Sequence, residues 1–475
     1  MHNLHYEKFQ DGTIKCIEDE IPFEVPEGWE WTRIGTVTVF VGGYAYKSNK
    51  YISDSQNLLI RIGNIKNNSI DPFVAKTCIS DEYASETSAY LIHENDILFT
   101  MTGTRGKRDY FYSCRVDKND LTGRKLFLNQ RVGCLRMLGV TDIIPSYFVN
   151  AIQSSCVLDA IFATETGNVN QGNIGSAATM NLLVPIPPTK EQNRIQEKLV
   201  TILTTIEQYD IDRENLLKLI QMTKDKILDL AIRGKLVPQD PNDEPASALL
   251  EHIRAEKEEL IKQGKIKRDK KESIIFRGDD NSYYEKIGKE ITCIDNEIPF
   301  ELPDKWSWCR LGNICASIQY GLSNSAESDG THKLLRITDI QNNMVDWDMV
   351  PYTTVQNAEN YLLKTDDIVF ARTGATVGKS FLITTLPYDS VYASYLIRIR
   401  LMDGVYPSYI YDFFNSPCYW EQITNKAIGI GQPNCNGTTL SNLLIPVPTT
   451  SMQCKTTEIV RQTLKHILTI EQSLS

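Results

Sequence analysis

Apolar residues between positions 189 and 234 step by four and three: Ile195, Leu199, Ile202, Ile206, Tyr209, Leu216, Ile220, Ile227 and Leu230. This spacing draws one stripe along a helix, broken only at Arg213 and Thr223, and its heptad rhythm predicts a coiled-coil seam. Two prolines followed by Thr189, with Gln192 three residues on, mark the start as a capping box, and Gly234 marks the stop. A helix of about 44 residues rises about 66 Å at 1.5 Å per residue. That is too long for packing inside a globule, so the stripe needs a partner. Val460, Leu464, Ile467, Ile470 and Leu474 carry a similar stripe, which predicts a shorter helix pairing antiparallel with the first.

Elsewhere the texture is short strands. DILFT (96–100) and DIVFA (367–371) are apolar runs between turn signals, while GCLRML (133–138) and SYLIRIRL (394–401) alternate charged and apolar side chains. Helices are expected at 145–162 and 407–423, each opened by Pro and Ser. These stretches come in pairs because the chain repeats itself. IKCIEDEIPFEVPEGWEWTRIG (14–35) returns as ITCIDNEIPFELPDKWSWCRLG (291–312), identical at 13 of 22 positions with an offset of 277. LLIRIGNI (58–65) meets LLRITDI (334–340), NDILFTMTGTRGK (95–107) meets DDIVFARTGATVGK (366–379), and NLLVPIPPTKEQ (181–192) meets NLLIPVPTTSMQ (442–453); the offset shrinks to 261 as loops change length.

The expected fold class is therefore α+β: two similar globular domains separated by long antiparallel coiled-coil helices, with an internal pseudo-two-fold repeat. The boundaries read as a first domain over 1–188, the central long helix over 189–234, a charged helical connector over 235–290, a second domain over 291–448 and a C-terminal helix over 449–475. Domains of about 160 residues bury a core of their own.

GATVGKS (374–380) looks like a phosphate-binding loop, but that loop needs four residues between its glycines, then Lys and a hydroxyl, then a helix. Gly374 and Gly378 enclose three residues, Gly103 and Gly106 enclose two, and SFLITTL after Lys379 reads as strand. The pattern argues against an ATPase. Two readings of the turn remain. Its glycines let the backbone approach a phosphodiester, with Arg105, Lys107, Arg108, Arg372 and Lys379 supplying charge, or it is a tight hairpin carrying surface cations.

Other catalytic arrangements are missing: no N/D-P-P-Y/F tetrapeptide, no G-x-S-x-G, no H-E-x-x-H, and six dispersed histidines. No catalytic, cofactor-binding or metal-ligating residue is expected. Eleven cysteines without a C-x-x-C pair are expected as buried free thiols. With no signal-like N-terminal stretch and no long apolar window, the expectation is a cytoplasmic protein without a membrane partner. The net charge of -10 argues against nucleic acid, yet residues 100–137 hold nine Lys or Arg against three Asp, a local excess of six. The basic cluster Lys265–Lys271 is either a solvated face or a contact to DNA phosphates.

The twin E-I-P-F-E-x-P-x-x-W-x-W segments, the D-I-x-F-x-x-T-G turns, the N-L-L-x-P-x-P exits into helices and RGKLVPQDPNDEPA (233–246) resemble the specificity subunit of type I restriction-modification systems, over nearly the whole chain. The resemblance implies a non-catalytic subunit whose two target recognition domains each read half of a bipartite double-stranded DNA sequence. It also implies two methyltransferase subunits as partners, binding S-adenosylmethionine, and through them ATP-driven restriction subunits. No cofactor is implied in this chain. Two binding domains on a stiff spacer suit a duplex with two half-sites at fixed spacing. The alternative from another class is a protein-interaction scaffold dimerised through its helices.

Residues that recur in both halves cannot distinguish two half-sites, so Arg61 with Arg336, and Gly103 with Gly374, serve architecture or phosphate positioning. Readout is expected where the halves differ: Val41–Lys50 with Ser317–Ser328, Lys107–Lys125 with Lys379–Asp389, and Thr166–Asn173 with Gly429–Asn436. The candidate DNA-binding residues are Lys47, Arg61, Arg105, Lys107, Arg108, Arg124, Lys125, Gln171, Asn173, Arg336, Arg372, Lys379, Ser380, Gln432 and Asn434. Gln171 with Asn173, and Gln432 with Asn434, either make bidentate contacts to adenine or cap turns. Trp29, Trp31, Trp306 and Trp308 are expected as core anchors. In the helix seam, Ile195, Leu199, Ile202, Ile206, Leu216, Ile220 and Ile227 are expected to face Val460, Leu464 and Ile467.

Overall fold

Ile97–Thr100 is buried at all four positions, which is why it reads as a continuous apolar run rather than an alternation. It sits inside an antiparallel sheet ordered Ser113–Arg115, Ile97–Thr100, Val132–Met137, Thr38–Gly42. One face packs Ile97, Phe99 and Leu135 against Phe148, Ile152 and Ile161 of the following helices. The other face packs Leu98, Cys114 and Cys134 against Leu58, Ile60, Leu126 and Leu128, which belong to a second sheet where Lys125–Leu128 lies parallel to Asn57–Ile60. Each fully buried Leu, Ile or Phe contributes about 1.5–3 kcal/mol. The structure, a computed structural model, describes residues 4–139, 142–168, 170–266, 268, 272–341, 343–426 and 435–474. The chain divides into two compact units, Met1–Tyr209 and Asp210–Ser475.

The second unit repeats this plan. Its sheet is ordered Cys315–Tyr320, Leu396–Leu401, Ile368–Ala371, Ser380–Leu382, and His332–Leu335 lies parallel to Ser390–Tyr392. Registers match as well: Ile97 faces Leu135 in one unit, and Ile368 faces Ile399 in the other. In both, the strand that begins the domain pairs with the strand that ends it, Glu30–Arg33 with Leu183–Ile186 and Ser307–Arg310 with Leu444–Val447. Two similar α+β domains are present, as the repeat predicts.

Several expectations need correction. The helical stretches 145–162 and 407–423 are each two helices, Pro145–Ile152 with Ser155–Phe162 and Pro407–Phe414 with Pro417–Lys426. Ser154 takes an extended ψ of 149° as it opens its helix, and Pro417 disfavours helical backbone at Ser416. The region 235–290 is not a charged helical connector throughout. Its helix, Ala246–Lys262, buries Ala246, Leu249 and Ile253 in the core of the second unit, and Lys257 donates to the Gly312 and Asn313 carbonyls. Strands Ser273–Arg277 and Tyr283–Ile287 then form a sheet with Glu290–Cys293, and Tyr283 packs with Trp308. Trp306 and Trp308 are buried, while Trp29 and Trp31 are half-buried.

The long helix runs unbroken over Thr189–Ile232 and the terminal helix over Thr450–Gln472. Within the second unit they pair antiparallel: Ile227, Leu228 and Ala231 pack with Val460, Leu464 and Ile467, Lys224 meets Glu471 at 2.6 Å, and Arg213 donates to the Leu474 carbonyl. Ile220 is buried. The seam is shorter than the stripe. Leu216, Ile202 and Ile206 are exposed at 38%, 45% and 51%, and Ile195 and Leu199 are half-buried, because the terminal helix has 23 residues against 44.

Candidate nucleic-acid interface

Both units hold their sheets with the same polar clamps. Asp96, nearly fully buried, takes two hydrogen bonds from Arg136 and one from the His93 amide; Asp367 takes the same set from Arg400 and the Lys364 amide. Arg33 binds Glu7, Glu20 and the Asn181 carbonyl, and Arg310 binds Glu285, Glu297 and the Asn442 carbonyl. Arg61 and Arg336 open matching short turns: Asn64 accepts from the Arg61 amide, Asp339 from the Arg336 amide. The Arg61 guanidinium reaches Thr77, whereas that of Arg336 is gripped by Asp339, which raises its pKa. Arg136, Arg400, Arg33 and Arg310 thus tie each unit together.

In the first unit the glycine turn and the Thr166–Asn173 segment come together. Thr102–Gly103 pairs with Gly172–Asn173, which pairs with Thr166–Gly167. Arg105 donates to the Gly167 carbonyl at 2.9 Å. The Gly106 amide points at the Glu165 carboxylate, which also accepts from the Tyr110 hydroxyl at 2.7 Å. A carboxylate therefore holds the amide that a phosphate would use. Arg108, in left-handed backbone at φ 52°, pairs with Asp159 and lies over the Phe162 ring. Gln171 donates to Asn173 and its amide to Asn168, the turn-capping geometry. Lys47, Lys107 and Lys125 are exposed, while Arg124 stacks over Phe73 at 4.8 Å.

The corresponding turn of the second unit has Gly374 at φ +76° and Gly378 at φ +90° and leads into strand Ser380–Leu382. No helix follows it. Lys379 is exposed. The Arg372 guanidinium lies 4.9 Å over the Tyr320 ring, with its Nε buried and unpartnered among the described residues, and Tyr320 accepts from the Gly437 amide. This joins the Ser317–Ser328 segment to the glycine turn. Gln432 and Asn434 lie outside the described residues, as do Lys267, Lys270 and Lys271 of the basic cluster; Arg268 there pairs with Glu258.

Strand register exposes residues that sequence reading missed. The Arg372 amide bonds the Tyr395 carbonyl just as the Met101 amide bonds that of Arg131. Met101 and Arg131 thus stand where the second unit has Arg372 and Tyr395, and Gly42 stands where it has Tyr320. Tyr395 is 62% exposed. Met101 and Arg372 already align in chain order, but only the pairing of strands sets Arg131 opposite Tyr395 and Gly42 opposite Tyr320, because loop lengths hide those equivalences.

Burial pushes the Cys114 and Cys315 thiols up to about 12, so both stay protonated and unreactive at neutral pH. Of the eleven cysteines, Cys16, Cys293 and Cys454 are exposed, contrary to the expectation of burial. Their positions on a short hairpin, an outer strand and a helix face leave them in water. His5, Glu18 and Glu24 bring possible metal-ligand atoms within 4.8 Å of one another, and His5 already bonds Glu18 at 3.0 Å. Among the described residues no helix is long and apolar enough to cross a membrane.

The family model described as type I restriction modification DNA specificity domain matches residues 26–219 and 303–475. The specificity subunit of the type I restriction enzyme EcoAI of Escherichia coli is 26% identical over 425 residues, which is 77% of this chain and 64% of that protein. The corresponding EcoEI subunit of Escherichia coli is 25% identical over 529 residues, 96% of this chain and 81% of that one. The chain thus spans less than two thirds of the first of these relatives. The crystal structure of an HsdS subunit from Thermoanaerobacter tengcongensis shares the fold, with a TM-score of 0.54 at 14% identity over 96% of this chain and 94% of that one.

Proposed function

This chain belongs to the type I restriction-modification DNA specificity family, and on that premise we propose that it is the DNA-reading subunit of such a complex. Each unit reads one half of a bipartite double-stranded target whose halves lie at fixed spacing. It recruits two methyltransferase subunits, which bind S-adenosylmethionine, and through them the ATP-driven restriction subunits. Methylation, ATP hydrolysis and cleavage belong to those partners, this chain carries no cofactor, and the complex works in the cytoplasm.

One observation carries the reading: two copies of one scaffold keep identical clamps at Asp96 and Asp367 and change chemistry around the glycine turn, from Met101 and Arg131 to Arg372 and Tyr395. Duplicated framework with divergent tips suits two different half-sites. With a net charge of -10, the isolated chain binds duplex weakly, and the cations of the assembled complex supply the salt-dependent attraction. Genome-wide mapping of methylated adenines, in cells with and without the gene, tests this. The expected result is methylation at one bipartite motif that disappears with the gene. An unchanged methylation map, with the assembled complex binding random duplex as tightly as genomic fragments, would overturn it.

A further inference from the structure

The two units contain the same cavity in two states. In the first, it is lined by Arg108, Tyr110, Phe111, Gln153 and Phe162 and holds about 190 Å³. Nine residues separate Gly103 from Ser113, and this long loop drives Phe111 inward until it is 2% exposed and packs on Phe99. Gln153 donates to both the Ser113 carbonyl and its Oγ, and the Arg108–Asp159 pair lies on the rim. That cavity is filled from within.

In the second unit only five residues separate Gly374 from Ser380, and none of them is aromatic. Asn415, which replaces Gln153, turns back to the Tyr411 carbonyl. Ser380 Oγ, which replaces Ser113 Oγ, is buried with no hydrogen-bond partner among the described residues. The cavity is about 500 Å³, within the roughly 300–1,000 Å³ range of small-molecule sites. Phe414 and Val369 line it together with the Trp420 indole, and Gln341, Asn343 and Lys379 offer amides and a cation. Trp420 is fixed by close packing on Gly378, where a Cβ would lie 2.7 Å from its ring.

We propose that this cavity of the second unit binds a nucleobase, stacked on Trp420 and hydrogen-bonded at its edge by Ser380 Oγ and a neighbouring amide. A flat ring needs an aromatic or apolar face and a few polar groups at its margin, and an ammonium at Lys379 suits the attached phosphate. The base comes either from an unstacked nucleotide of bound DNA or from a free nucleotide. The first source rests on the DNA-reading function proposed above; the second does not.

Two measurements separate these sources. Saturation-transfer NMR of the full chain with dAMP and with TMP reads the cavity directly. Fluorescence of duplexes carrying 2-aminopurine at successive positions of the recognised sequence, bound to the assembled complex, reads extrusion. Trp420→Ala is expected to weaken nucleotide binding roughly tenfold or more, Trp420→Phe to restore most of it, and Ser380→Ala, which leaves the packing intact, to weaken it less. A 2-aminopurine signal at one position, lost in Trp420→Ala, assigns the base to DNA. Transfer to dAMP or TMP without that signal assigns it to a free nucleotide. Absence of both, or signals indifferent to Trp420→Ala and Ser380→Ala, overturns the proposal. Sequence-selective duplex binding persisting in that case leaves the DNA-reading function standing.

Discussion

Asn150 and Asp412 occupy the same place in the two units, on the helix that opens with Pro-Ser-Tyr. In the first unit Asn150 donates to Gln196 on the long helix at 3.1 Å. In the second, Asp412 is buried beside Thr457 on the terminal helix. Around both sites the framework is unchanged: Tyr147 and Tyr409 donate to the Pro185 and Pro446 carbonyls, and Gln192 and Gln453 accept from the Ile144 and Tyr406 amides. The comparison separates what the repeated fold requires from what each half is free to change.

The strongest way to test the shared part is to break it twice. Asp96→Ala and Asp367→Ala each leave a backbone amide without its acceptor and an arginine with only the Leu91 or Leu362 carbonyl. Each is expected to destabilise its own unit by about 3–5 kcal/mol, measured as a lowered midpoint in urea. Equal losses confirm a common clamp. A loss in only one unit would show that the two sheets are held differently.

Next comes the unequal pair. Burial pushes the Asp412 carboxyl up to about 7. The folded chain therefore keeps a proton there that the unfolded chain has already released. Stability is full below the ordinary value of 3.8, falls as pH rises toward 7, and is level above that. The move from 3.8 to about 7 sets a ceiling of about 4 kcal/mol. Asp412→Asn, which copies the first unit, is expected to remove most of this slope and to raise the melting temperature at pH 8. If melting between pH 4 and 8 is the same in Asp412→Asn and the parent, the carboxyl has another means of staying charged.

Much of this skeleton is legible in the sequence, because repetition and periodicity are properties of chain order. The 13 identities in 22 positions place Arg33 and Arg310 in matching roles, and the stepping from Ile195 onward marks the long helix. What escapes is anything set by contacts across strands or by loop length. Tyr395 and Arg131 carry no local signal; they become equivalent only through the registers of Val132–Met137 and Leu396–Leu401. The stripe likewise marks Ile202 and Ile206 as seam residues, but the pattern of one helix cannot say how far its partner reaches. Ser380 falls within a segment where the halves differ, yet its unpartnered hydroxyl depends on Asn415 being one methylene shorter than Gln153.

A smaller effect sharpens the divergent part. Arg372, poised on Tyr320, is a planar cation of the kind that reads guanine in a major groove. Arg372→Met, the residue of the first unit at that place, is expected to relax selection at one base of one half-site by about 1–3 kcal/mol, seen as a degenerate position in the methylated motif. Loss of binding to all sequences alike would instead make Arg372 a phosphate contact.

The smallest expected effect tests whether the exposed lysines of the two turns do the same work despite their different surroundings. Lys107 follows a turn whose Gly106 amide already faces Glu165, and Lys379 follows one that leads into the open cavity. If both only touch phosphate, Lys107→Ala and Lys379→Ala each weaken the assembled complex uniformly across sequences, and each makes the slope of log K against log salt shallower by about 0.9. Base preference then stays fixed in both. The two variants part company if Lys379 also holds the phosphate of a base seated on Trp420. Its removal would then lower binding more for duplexes whose 2-aminopurine is extruded, while Lys107→Ala would still act on every duplex alike.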